Sequence, residues 1–226
     1  MIPKILHFIW VGNNLIPKES VEFISNWKNI YTDYKIIIWT DEMIESDNII
    51  PNNLKEEYTS NSFSPAYKSD IVRYIILNKY GGIYLDTDFE CLKKIPDHFL
   101  NFKFLGGIQN NGEVNIAFFA SQMNNELLIE TIESIPKSIN TAIHGNYYTC
   151  ENIYRITGPQ FFNRICLKYL SNTDYFFFTK EYFYPYWFDE KHRRYEQFDI
   201  SSPLSYAVHH WEKSWKSKST TPTLTG

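Results

Sequence analysis

The chain has 226 residues, with 22 Lys and Arg against 26 Asp and Glu, a formal charge of −4. At 43% hydrophobic and 21% charged it can bury a sizeable core, which excludes an extended disordered chain. The acidic balance excludes nucleic acid as the main partner, because phosphate neutralisation needs a basic face.

Residues 5–11 form an apolar run that reads as a strand buried on both faces and is too short to span a bilayer. No small-residue cleavage site accompanies it, so a signal peptide is not expected. Gly12-Asn13-Asn14 turns the chain into a helix over 18–29, with Val21, Ile24 and Trp27 on its apolar side. A strand over 34–39 follows. Strand, helix and strand at this spacing predict a βαβ unit and a doubly wound α/β sheet. Residues 42–62 are polar and read as helix and loop. Ser64 and Pro65 open the next helix as N-cap and first-turn residue. Ile71, Tyr74, Ile75 and Leu77 recur at helical spacing until Gly81-Gly82 stops them, and a strand over 83–88 resumes. Strands over 103–108 and 114–120, a helix over 124–134 and a last strand within 205–211 complete the chain. No repeat or linker divides it. Cys91, Cys150 and Cys166 form no C-x-x-C pair, so neither a disulfide scaffold nor a thiolate zinc site is expected. A reducing, cytoplasmic setting fits best. The 17 Tyr, 17 Phe and 6 Trp make 18% of the chain, more than a core demands. Residues 182–188 serve either core packing or an acceptor or membrane-facing surface, and the rings of 175–188 as a whole pose an acceptor-side question.

In a strand, residues two apart point to one side, so Tyr84, Asp86 and Asp88 are predicted to share a face. Adjacent carboxylates repel unless a cation neutralises them. Mg²⁺ and Mn²⁺ favour oxygen ligands and are often completed by substrate phosphates. The pair is thus either a metal–diphosphate clamp or a solvated acidic turn. Asp70 and Arg73, three apart on the preceding helix, form a surface ion pair or reach the crevice at the strand ends. Trp10, ending its strand, is a core ring or a base-stacking platform.

The run Ser69-Asp70-Ile71-Val72-Arg73-Tyr74, then Leu77, then Tyr80-Gly81-Gly82-Ile83-Tyr84-Leu85-Asp86-Thr87-Asp88 resembles the sugar-binding region of DXD-containing glycosyltransferases. These include the yeast initiating mannosyltransferase group and the α-1,4-galactosyl- and N-acetylglucosaminyltransferases. The opening Ile2-Pro3-Lys4-Ile5-Leu6-His7-Phe8-Ile9-Trp10-Val11-Gly12 is also similar to the glucosyltransferase domain of large clostridial toxins. The resemblance implies a GT-A fold: a Rossmann-like, mostly parallel sheet flanked by helices, with a smaller mixed C-terminal part. It divides a single domain over 1–215 into a nucleotide-sugar-binding part, 1–120, and an acceptor-side part, 121–215, with a flexible tail over 216–226.

By the same resemblance, Trp10 stacks on the base, Asp70 and Arg73 hydrogen-bond hydroxyls of the donor sugar, and Ser69 belongs to the donor-binding set. Tyr84 packs beside the nucleotide or the sugar, Asp86 reaches the ribose or the metal through water, and Asp88 binds the metal, with Asp70, Arg73, Asp86 and Asp88 as the catalytic group. Asn115 lies near the sugar, and Gly158-Pro159-Gln160 matches a turn on the acceptor side. In Tyr206-Ala207-Val208-His209-His210-Trp211, imidazole suits Mn²⁺-class ions. His209 is the favoured ligand and His210 its rival, since neighbours in a strand face opposite ways. Ser214 and Trp215 resemble a segment that covers the diphosphate.

The expected activity is Mn²⁺- or Mg²⁺-dependent transfer from a nucleotide sugar, a UDP-sugar favoured, to a saccharide acceptor, with retention. The default setting is bacterial surface polysaccharide synthesis on a lipid-linked acceptor at the inner face of the membrane, with at most peripheral association. The alternatives are a toxin-like transferase acting on a host protein, a metal-dependent hydrolase of nucleotide sugars, and a non-catalytic carbohydrate-binding protein.

Overall fold

The computed structural model describes residues 1–60, 64–145, 152–187, 189–190 and 203–212. Strand β1 (Ile5–Ile9) leads through helix α1 (Lys18–Ile30) to β2 (Lys35–Trp39), which pairs with β1 in parallel. Short helices α2 (Asp41–Ser46) and α3 (Lys55–Thr59) precede α4 (Pro65–Tyr80) and then β3 (Gly82–Leu85), parallel to β1 on its other side. The chain therefore leaves β1 toward one neighbour and returns to the other. That reversal opens a crevice beyond the carboxyl ends of β1 and β3.

A short ribbon strand, β4 (Phe89–Cys91), follows, and then β5 (Phe104–Ile108) and β6 (Val114–Ser121). Helices α5 (Glu126–His144), α6 (Ile153–Ile156) and α7 (Pro159–Cys166) precede β7 (Tyr175–Phe178) and β8 (Ala207–His209). Among the described residues the main sheet has six strands in the order β2-β1-β3-β6-β5-β7. Only β6 runs against the rest, so the sheet is mostly parallel. The β4 and β8 strands pair antiparallel as a separate ribbon.

Each face of the sheet carries its own apolar layer. Trp27, Phe8, Leu85, Phe89, Phe118, Phe183 and Tyr184 fill one, beneath α1 and the ribbon. Ile71, Tyr74, Phe104, Phe119, Leu127 and Phe162 fill the other, beneath α4, α5 and α7. Ring stacking is extensive: Phe118 lies 3.7 Å from Phe183, and Tyr74 lies 5.2 Å from Phe162. Much of the aromatic excess is spent on this packing. Tyr175, Phe178, Phe183, Tyr184 and Tyr186 are all buried, so these rings of segment 175–187 are core, while Trp187 is half-buried. No helix among the described residues is long and apolar enough to cross a membrane.

Three expectations need correction. Val21 is exposed, and Ser20 turns inward beside Ile24 and Trp27. The helix expected over 124–134 continues to His144, through Pro136. Its buried stripe of Leu127, Leu128, Thr131, Ile135, Ile139 and Ala142 outweighs the one hydrogen bond that proline removes. The strand expected over 83–88 ends at Leu85, and Asp86-Thr87-Asp88 is a turn.

Two close approaches shape the crevice. Gly12 has φ +93°, and a Cβ there would lie 3.0 Å from the Pro65 ring at the start of α4. Gly82 has φ +104°, and a Cβ would lie 2.7 Å from the Ile5 carbonyl and 2.9 Å from His7 Nε2. Buried His7 is itself fixed in one tautomer. Its Nδ1 accepts from the Trp39 indole N–H at 3.0 Å, so Nε2 carries the proton and donates to the Gly81 carbonyl at 2.8 Å. Burial lowers its pKa from 6.5 to about 4.

Candidate functional site

A cavity of about 790 Å³ opens at the crevice. It is lined by residues from distant parts of the chain: Trp10 after β1, Ser69, Asp70 and Arg73 on α4, and Tyr84, Asp86 and Asp88 around the end of β3. Asn115 on β6 and His209 on β8 join them, as does Pro159, which opens α7 behind Gly158.

The acidic pair converges through a turn rather than through strand alternation. The Phe89 amide donates back to the Asp86 carbonyl at 3.2 Å, and the Asp86 amide donates to Ala117 O at 2.9 Å. The Asp86–Ala117 bond continues the β3–β6 pairing one step past Leu85 and Phe118. On the other edge of β6 the β5 register jumps between Gly106 and Gly107, from Phe119 to Asn115, leaving residues 116–118 without β5 partners, and Ile116 O accepts from Arg73.

Arg73 is the brace of the site. Its Nε donates to Ser69 O at 3.2 Å, one terminal nitrogen to Asp86 Oδ1 at 2.9 Å and Ile116 O at 3.0 Å, and the other to Ser69 Oγ and Asp70 Oδ1, each at 3.0 Å. Five contacts match its five donors. The guanidinium also lies 4.7 Å from the centre of the Tyr84 ring. The Tyr84 hydroxyl donates to Asp86 Oδ1 at 2.6 Å, so that oxygen is held twice, by Tyr84 and Arg73. Burial raises the Asp70 carboxyl to about 7. The Arg73 charge opposes the rise, and the Asp86 charge adds to it.

Asp86, Asp88 and His209 offer ligand atoms that all lie within 4.8 Å of one another. His209 Nε2 lies 3.1 Å from Asp88 Oδ1 and 4.0 Å from Asp86 Oδ2. Its Nδ1 is buried and faces no hydrogen-bonding group, so Nε2 is the polar end of the ring that the site uses. Burial on its own would raise the Asp88 carboxyl, but the His209 ring and the Glu212 amide, 2.7 Å from Oδ2, hold it below its usual value. Two carboxylates and one imidazole suit a Mn²⁺- or Mg²⁺-class ion and leave coordination positions for phosphate. His210 stands apart from this group. Its ring bonds the Tyr186 hydroxyl at 2.8 Å and Glu90 at 2.9 Å, and stacks on Phe23 at 4.9 Å.

The Trp10 indole N–H donates to the Asn14 carbonyl at 2.6 Å, which fixes the ring at the cavity mouth. Asn115 is buried, with its oxygen on the Ala117 amide and its nitrogen on Gln109. Ser214 and Trp215 lie outside the described residues. The cavity also gathers Trp187, from the aromatic segment, and Trp211, from the His209 patch, together with Gln109 and Tyr154, which carry no local sequence signal. Trp211 holds φ +56°, and its indole N–H donates to Tyr186 O at 3.0 Å.

Residues 17–105 match the family described as the glycosyltransferase sugar-binding region containing a DXD motif. The chain carries a DXD glycosyltransferase region. A mannosyl phosphorylinositol ceramide synthase of Saccharomyces cerevisiae is 39% identical over 101 residues, 42% of this chain and 25% of that protein. Inositol phosphoceramide mannosyltransferase 3 of Schizosaccharomyces pombe is 31% identical over 173 residues, 73% of this chain and 44% of that protein. The chain thus spans less than half the length of either relative. The UDP-bound glycosyltransferase domain of the YGT toxin superposes with a TM-score of 0.58 at 12% identity, over 78% of this chain and 79% of that domain. The DXD glycosyltransferase region therefore sits in a GT-A fold, as the family resemblance implied.

Proposed function

We propose that this DXD glycosyltransferase moves a hexose from a nucleotide sugar, a UDP-sugar favoured, to a hydroxyl of a saccharide or polyol acceptor in a metal-dependent reaction. The meeting of Asp86, Asp88 and His209 in one cavity with Trp10 and Asp70 carries this reading. A bound Mn²⁺ or Mg²⁺ supplies Lewis-acid neutralisation of the departing diphosphate.

The strand order supports an assignment of subsites. Strand β3 delivers the acidic turn between β1, which ends before Trp10, and β6, which begins beside Asn115. The base then stacks on Trp10 at one flank, and the sugar lies toward Asn115 and Asp70 at the other. Arg73, with every donor engaged, positions Asp70 and Asp86 rather than touching the sugar itself. Asp70 is tied to Arg73 and to the Thr157 hydroxyl, which argues against it as a covalent nucleophile. We therefore favour a front-face displacement with retention. The acceptor oxygen bonds to the anomeric carbon as the carbon–phosphate-oxygen bond breaks, and the leaving oxygen takes the acceptor proton. Isolation of a glycosyl-enzyme adduct would overturn this.

Both yeast relatives are named for inositol phosphoceramide, whose headgroup is a polyol on a lipid. A lipid-linked saccharide reached from the cytoplasmic membrane face remains the acceptor we favour, and the relatives' names add a lipid-linked polyol to the candidates. These eukaryotic relatives lend no support to a surface-polysaccharide setting. The test is a screen of UDP-glucose, UDP-galactose, their N-acetyl forms and GDP-mannose for Mn²⁺-dependent hydrolysis, followed by acceptors. Turnover of one donor, lost with chelator and in Asp86→Ala/Asp88→Ala, supports the reading. Turnover that no acceptor raises points to a hydrolase.

A further inference from the structure

At the β5–β6 end of the cavity lies a relay of side chains that the metal group does not use. Gln109 and Asn115 both line the cavity, at 3% and 4% exposure. Asn115 Oδ1 accepts from the Ala117 amide at 2.8 Å, a backbone N–H that can only donate. Asn115 Nδ2 must therefore be the donor to Gln109 Oε1. That leaves Gln109 Nε2 toward Glu113 Oε2 at 3.4 Å and the Tyr154 hydroxyl at 3.5 Å. The same Glu113 oxygen takes Asn111 Nδ2 at 2.8 Å and the Tyr154 hydroxyl. An ionised carboxylate can only accept. One end of the relay is thus set by a pure donor and the other by a pure acceptor, so neither amide can flip without breaking its neighbours' bonds.

The spare hydrogen of this relay is the second N–H of Asn115, since Gln109 Nε2 faces both Glu113 and Tyr154. An oriented N–H at the cavity edge suits a ring hydroxyl held through its oxygen. A sugar that lacks an oxygen at that position leaves a buried donor unpaired, which costs about 1–3 kcal/mol. We infer that Glu113 is a positioning residue that sets donor-sugar selectivity by fixing the polarity of Gln109 and Asn115. This rests on the nucleotide-sugar reading above. Glu113 does not itself line the cavity, so a change there reaches the sugar only through the relay.

Glu113→Gln keeps the size of the side chain but replaces a pure acceptor with a group that can donate or accept. The measurement is kcat/KM for Mn²⁺-dependent hydrolysis of two UDP-hexoses that differ at one hydroxyl, together with the Kd for UDP alone. The expected result is that the wild-type preference shrinks about tenfold, with UDP affinity unchanged within about twofold. Tyr154→Phe, which removes one donor from the same carboxylate, should shrink it less. A preference that survives in Glu113→Gln overturns the inference, as does one lost only in step with UDP affinity. If the wild type turns over no nucleotide sugar, the functional reading itself falls and takes this inference with it.

Discussion

His209 Nε2 and Asp88 Oδ1 stand 3.1 Å apart, joining the end of the β4–β8 ribbon to the turn after β3. The ring is flanked by Phe89 at 4.7 Å and Trp211 at 4.3 Å, so its aim at the carboxylates is set by packing. The neighbouring His210 ring is bonded at both nitrogens elsewhere.

This geometry separates the two histidines experimentally. His209→Ala should weaken Mn²⁺ binding by about tenfold or more in calorimetric titration. His210→Ala should leave that affinity within about threefold and lower Tm by several degrees, since it strips partners from Tyr186 and Glu90. The reverse pattern would exchange their roles.

Arg73→Lys tests the brace. Lysine offers three donors from one point where Arg73 reaches Ser69, Asp70, Asp86 and Ile116 in a planar fork. With Asp70 buried and under-paired, urea denaturation should show a loss of about 3 kcal/mol. Metal-dependent turnover should fall with it, because Asp86 loses one of its two anchors. A variant as stable as the parent would remove Arg73 from this role.

Acid should destabilise the fold through His7. Its folded pKa, about 4, lies below the unfolded 6.5, so the unfolded chain binds the proton more readily between those values. The contribution is nil above pH 6.5 and costs about 2 kcal/mol by pH 5. His7→Gln should flatten stability measured by denaturant between pH 7 and pH 5, whatever its absolute value. An equally steep loss in the variant would place the titration elsewhere.

Trp10→Ala should weaken UDP binding by about tenfold to a hundredfold, the usual range for losing one base–aromatic stack. Trp10→Phe should recover part of it, as a smaller ring without the indole N–H that anchors to Asn14. Calorimetry with UDP and Mn²⁺ reads both. Unchanged affinity in Trp10→Ala would make the ring a structural one.

Local punctuation made much of this legible. Ser64-Pro65 and Gly81-Gly82 bound α4 because capping and left-handed backbone are local chemistry, and the helix does run Pro65–Tyr80. The alternation rule likewise separates His209 from His210 at the end of β8. It misleads at Asp86 and Asp88, where the chain leaves the sheet at Leu85 to enter the ribbon with β8, a pairing between distant segments. The same reason hid Gln109 and Tyr154. Each reaches the cavity through a long-range contact or a register jump, and neither leaves a periodic trace.

The His209–Asp88 contact also has a consequence for biosynthesis. The acidic turn leaves the ribosome long before β8 does, and until that strand docks Asp88 has neither its imidazole nor the His210 and Glu212 amides that bind it. The Asp86, Asp88 and His209 group is therefore completed only after β7 has joined the sheet and β8 has followed it. A nascent chain can hold the main sheet before these three ligand atoms meet.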